Sequence, residues 1–234
     1  MNHTMTVKVS DGQFLAHVAR PTRAVAPTVL VLHEVFGVND DMRKTCDELA
    51  ARGFIAVCPD LFWRQEPGLD LNNWSEADWK KGLSLYAAFD RDRAVLDIVD
   101  AARAARAIEG ASGQLGVMGF CLGGLMSFLM AARASVDATV AYHGGETEKY
   151  LSESNRIVTP LLMHLAGEDE FIPLEAQEQI KGALLGKQNV TIYSYPGCKH
   201  AFARHNGTHY DAAAAAEANG RTWQFLADHL GAHN

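Results

Sequence analysis

The sequence has no CxxC pair, no cluster of basic residues and no unbroken apolar stretch long enough to cross a bilayer, which takes roughly 20 residues. Its four cysteines, Cys46, Cys58, Cys121 and Cys198, are scattered, which excludes a zinc ribbon and a disulfide framework. Cys198 and His200, with Asp60 or a histidine nearby, lack the ligand count and spacing of a zinc site. No metal and no cofactor are therefore expected. A net charge of −7 without a Lys/Arg run argues against a nucleic-acid partner. The polar opening residues carry no apolar signal-peptide core, so the reading is a cytoplasmic protein with no membrane partner.

What is present suits one α/β domain over residues 1–234. About 48% of the residues are apolar and 21% charged, as in an ordinary globular chain. Short apolar runs at 28–32, 54–57, 115–118, 138–142, 161–165 and 190–195 read as strands, the innermost of them buried on both faces. Further strands are expected near Met5–Val9 and Gln13–Ala19. Helical spacing follows Asp40 and Asp41 and fills 75–89, 92–108, 122–132, about 174–185 and 212–230. Strands that alternate with helices imply a mainly parallel sheet with helices on both faces, because parallel strands need crossover connections.

Gly119-Phe120-Cys121-Leu122-Gly123 is a nucleophile elbow with Cys in place of Ser, set between a predicted strand and a predicted helix. The helix N-terminus favours a thiolate. In such folds the acid and then the histidine follow the nucleophile along the chain. Asp169 and His200 meet that order, although Glu168 and Glu170 flank the acid. His200 is expected to take the thiol proton and later activate water, with Asp169 orienting the ring. The oxyanion of the tetrahedral intermediate is expected to meet the backbone N–H of Leu122 and of Val35. Glu34, beside Val35, reads by itself as a surface carboxylate. His143, His164, His205 and His209 read as surface or pocket-lining residues.

The blocks Leu32-His33-Glu34-Val35-Phe36-Gly37, Pro59-Asp60-Leu61-Phe62, Gly119 to Gly124 and His200-Ala201-Phe202-Ala203-Arg204 resemble the dienelactone hydrolase (carboxymethylenebutenolidase) family over essentially the whole chain. The resemblance implies an α/β-hydrolase fold and a Cys121, His200, Asp169 triad. It implies that Glu34 contacts the resting thiol and shifts when substrate binds. It also implies hydrolysis of a carboxylate-bearing dienelactone to maleylacetate, with Arg204 holding the carboxylate through its planar fork. Trp79 stands where the family has a second arginine. Leu83 and Tyr86 take the place of its aromatic residues, and Phe36 is a further candidate at the substrate. The expected partner is a small anionic lactone or ester, and a monomer is expected. The alternatives are a broader carboxylesterase on the same machinery and, from another class, a thiol redox sensor or a noncatalytic binding module.

Overall fold

The structure, a computed structural model, describes residues 3–231. Eight strands make one sheet: β1 (His3–Val9), β2 (Gly12–Ala19), β3 (Ala26–Leu32), β4 (Ile55–Pro59), β5 (Ala111–Phe120), β6 (Ala138–Tyr142), β7 (Leu161–Ala166) and β8 (Val190–Tyr195). Their spatial order is β1-β2-β4-β3-β5-β6-β7-β8. Every pairing from β4 to β8 is parallel, whereas β1 and β2 form an antiparallel hairpin whose second strand runs antiparallel along β4. The expected parallel sheet thus carries an antiparallel margin, which two-residue turns allow and crossover helices do not require.

All seven residues of β3 and all five of β6 are buried, as strands covered on both faces must be. Burying each Leu or Val of such strands contributes about 1.5–3 kcal/mol. The covering helices are α1 (Asp40–Ala51), α2 (Glu76–Ala87), α3 (Arg91–Arg106), α4 (Leu122–Arg133), α5 (Leu174–Leu184) and α6 (Ala212–Leu230). The cap of α1 is Asn39 rather than Asp40 or Asp41: its side chain accepts from the Met42 N–H. Ser75, Asp90 and Asp211 cap α2, α3 and α6 in the same way. A 3₁₀ segment, Thr147–Arg156, follows β6 and had no counterpart in the sequence reading.

Two details place the functional edge. β3 and β5 are neighbours, with Leu32 opposite Gly119, so the loops that leave them diverge at the carboxyl edge. Such a reversal point is where open α/β sheets bind ligands. Helix α2 lies against the loop after β3 at Gly82, where an added Cβ would meet the Val35 carbonyl oxygen at 2.6 Å. Glycine there allows the helix to approach, and Trp79, Leu83 and Tyr86 then share the face beside that loop.

Candidate active site

Cys121 follows β5 with φ 52° and ψ −113°, a left-handed conformation that few side chains adopt. Its surroundings hold it there. The Cys121 N–H donates to the Tyr142 carbonyl at 3.1 Å, and the Gly123 N–H donates to the His33 carbonyl at 3.1 Å. A Cβ on Gly119 would meet the Gly123 oxygen at 2.2 Å, and one on Gly123 would meet the Leu32 oxygen at 2.0 Å. The elbow therefore tolerates no larger residue at either position. Cys46, Cys58 and Cys198 are buried, and of the four thiols only Cys121 is partly open.

The acid and the histidine arrive on adjacent loops. Gly167 N–H donates to the Tyr195 carbonyl and Glu168 N–H to the Cys198 carbonyl, both at 2.8 Å, which ties the loop after β7 to the loop after β8. Asp169 accepts from the backbone of Phe171 and Ile172, and this turn aims its carboxylate at His200. His200 Nδ1 lies 2.9 Å from each Asp169 oxygen. Nδ1 thus carries a proton, and Nε2, on the Cys121 side, has no hydrogen-bond partner. Burial would depress the His200 pKa, but the adjacent Cys121 sulfur and the Asp169 carboxylate outweigh it and push the value up to about 10. The arrangement favours a protonated His200. Of the acids flanking Asp169, Glu170 accepts from the His200 backbone N–H at 3.3 Å and so belongs to the loop's scaffold.

Glu34 is not a surface carboxylate. It is buried, and its Oε2 accepts from Arg204 Nε at 2.6 Å, while Oε1 has no hydrogen-bond partner. Among the described residues no hydrogen bond joins Glu34 to Cys121; the carboxylate is paired with Arg204. That pair keeps the guanidinium charged against the cost of burial. Among the described residues only Nε of Arg204 is hydrogen-bonded, and Arg204 lines the cavity with its fork otherwise uncommitted.

A cavity of about 210 Å³ opens over Cys121 and His200. Val35, Trp79, Leu83, Tyr86, Phe171 and Arg204 line it, along with Gly145 and Glu146. Trp79 and Tyr86 are where the sequence placed them. Phe36 is not: it is fully buried behind the wall, its ring 4.8 Å from that of Trp79 and 5.0 Å beneath the Arg204 guanidinium. It supports the lining residues instead of meeting substrate. Val35 lines the cavity and Leu122 opens α4 directly after Cys121, which is the setting an oxyanion site needs.

Four features escaped the sequence reading. His33 donates from Nδ1 to the Glu34 carbonyl at 2.6 Å and accepts the Leu61 N–H on Nε2 at 2.9 Å, which fixes the loop bearing Val35. Glu146, with φ 67°, accepts from the Tyr86 hydroxyl at 3.0 Å and is paired with Arg91 and Lys149. Burial alone would raise its pKa, and those three partners hold it low. Phe171 packs on the His200 ring at 4.8 Å. His143 and His164 are wholly buried and line no part of the cavity, contrary to expectation. His164 is hydrogen-bonded to the Tyr195 and Thr222 hydroxyls, and burial lowers its pKa to about 3. Only a folded β6 and β7 bring these residues inward, so no local pattern announces them.

No group of three or more His, Cys, Asp or Glu side chains among the described residues is arranged to hold a metal ion. Asp60 serves structure: its oxygens accept from the Phe62 and Gly68 N–H groups. No described helix is long and apolar enough to cross a membrane.

An elbow between β5 and α4, with an acid after β7 and a histidine after β8, defines an α/β-hydrolase. Residues 14–230 match the model of the dienelactone hydrolase family. The chain belongs to that family and is an enzyme that hydrolyses carboxylic esters or lactones. It is 38% identical over 224 residues to a carboxymethylenebutenolidase of Pseudomonas putida, covering 95% of each chain. It is 35% identical over 218 residues to carboxymethylenebutenolidase 1 of Cupriavidus pinatubonensis, covering 93% of each. Its fold matches the crystal structure of a dienelactone hydrolase from Anabaena variabilis with a TM-score of 0.72 at 17% identity, over 98% of both chains.

Proposed function

We propose that the chain is a cysteine hydrolase that opens the ring of a small carboxylate-bearing lactone of the dienelactone type through an acyl-enzyme. The observation that carries this reading is His200, bound through Nδ1 to both Asp169 oxygens with Nε2 left open toward Cys121 at the floor of a cavity. The Cys121 thiolate attacks the lactone carbonyl carbon, and the carbonyl oxygen takes the negative charge between the Leu122 and Val35 N–H groups. The C–O bond of the ring then breaks, and the departing oxygen takes the proton from His200. In a lactone that oxygen stays attached to the acyl chain. Neutral His200 next removes a proton from water, whose oxygen attacks the thioester, and the thiolate leaves as the product carboxylate forms.

The carboxylate of the substrate is assigned to Arg204, which lines the cavity and is hydrogen-bonded to Glu34 through Nε. A bidentate contact there would orient the ring for attack and supply binding that a neutral analogue lacks. A second reading, a broader carboxylesterase, is favoured by one observation: Trp79, Leu83 and Phe171 make much of the cavity wall apolar.

Hydrolysis of cis- and trans-dienelactone and of p-nitrophenyl acetate, each by wild type and Cys121→Ala, tests both readings. Fast Cys121-dependent loss of a dienelactone with slow ester cleavage is expected. Turnover of the simple ester alone would leave the carboxylesterase. Cys121→Ala and His200→Ala are each expected to cost several orders of magnitude in kcat, with little further loss in the double variant, since triad members act as a unit. Near-wild-type activity in either would rule out the mechanism.

A further inference from the structure

His143 ends β6 one residue past Tyr142, on the side of the sheet where Cys121 turns. Three features set it apart. Its φ is 36°, in the left-handed region. Its side chain is fully buried, and neither ring nitrogen has a hydrogen-bond partner. Its ring packs against that of His200, with centroids 4.5 Å apart and planes at 62°. Strained backbone and unpaired buried nitrogens are both unfavourable, and a phenyl ring or a glycine would avoid one or the other. The imidazole itself therefore has work that the fold alone does not require.

The surroundings say what that work is. His143 lies outside the cavity lining, so it meets no substrate. Burial, the charge of His200, Arg204 and His164 all oppose its protonation, which keeps the ring neutral. A neutral imidazole has one N–H and one lone pair, and its tautomer is normally set by whatever each nitrogen binds. With neither nitrogen bound, the charge nearest the ring decides. The tautomer whose lone pair points toward a cationic His200 is then the one selected, and a low local dielectric strengthens that attraction.

We propose that His143 is a positioning residue that acts through His200: its uncommitted neutral ring stabilises the imidazolium and, together with Phe171, fixes the plane of the catalytic ring. The proposal rests on the Cys121 hydrolase reading. The other groups facing His200 are Cys121 at Nε2, Asp169 at Nδ1, Glu170 at its backbone N–H and His209 at its carbonyl. Phe171 packs on the ring as well, 4.8 Å between centroids.

The test is kcat/KM against pH, with iodoacetamide alkylation of Cys121, for wild type, His143→Phe and His143→Asn. His143→Phe keeps a ring against His200 but removes both nitrogens. Its alkaline limb is expected to fall about one pH unit below that of wild type, a tenfold change in the imidazolium equilibrium, with kcat reduced and KM unchanged. His143→Asn, which keeps a side-chain dipole in a smaller volume, is expected to recover part of that shift, and it serves as the test if the phenyl ring does not fit. A folded variant with the wild-type alkaline limb and alkylation rate would overturn the proposal. Activity that persists in Cys121→Ala would instead overturn the hydrolase reading beneath it.

Discussion

Arg204 and Glu34 lie 170 residues apart in sequence and form a buried pair at the edge of the cavity. The pair keeps the Arg204 guanidinium charged, and removing one member strands the other in a dry site. Arg204→Ala is expected to lower stability by about 3–5 kcal/mol, which denaturant unfolding would register, because the Glu34 carboxylate loses its counter-charge. It should also raise KM for a carboxylate-bearing ester far more than for its neutral analogue. The double variant Arg204→Met, Glu34→Leu separates the two roles: stability is expected to return close to wild type, since an apolar pair can replace a buried ion pair, while the selective loss of binding remains. Equal KM changes for charged and neutral esters would remove Arg204 from substrate recognition.

Helix α2 supplies one wall of the cavity, and Gly82 is its one fully buried position. In an exposed helix, Gly→Ala would add about 1 kcal/mol of helical stability. Here the new methyl would sit 2.6 Å from the Val35 oxygen, so the helix or the loop after β3 must give way. Gly82→Ala is expected to keep its helix content by circular dichroism and to lose tenfold or more in kcat/KM, as Trp79 and Tyr86 move with α2 and Val35 shifts. The elements themselves were largely legible in the sequence: strand and helix periods, the Gly119–Gly123 elbow, and Asp169 and His200 in the required order. Each of those signals is local. Gly82 gave no such sign, because its reason for being glycine is a carbonyl on another loop. The same holds for Glu34, whose partner Arg204 lies 170 residues away, and for Glu146, whose partners Tyr86 and Arg91 lie 60 and 55 residues away. Phe36 was misplaced because a motif fixes sequence position and cannot say which face of a loop turns toward the cavity.

At the scale of the whole molecule, the buried histidines set how stability responds to acid. His143 and His164 are held neutral in the fold by burial, the second at a pKa of about 3. In the unfolded chain both titrate near 6.5. Below that pH the unfolded state binds more protons than the native one, so stability falls as pH falls, by up to about 1.4 kcal/mol per pH unit for each histidine. Thermal unfolding between pH 7 and 4.5 is expected to show this loss, and His164→Asn, which can still hydrogen-bond Thr222, should lessen the slope. The opposite shift at His200, up to about 10, keeps its imidazolium through neutral pH, and kcat/KM is expected to decline as pH rises through that value. The burial of Cys46, Cys58 and Cys198 beside a partly open Cys121 has a practical corollary. The native chain should consume one equivalent of an aromatic disulfide reagent quickly and the unfolded chain four, so a colour change counts both open Cys121 thiols and unfolded molecules in a single sample.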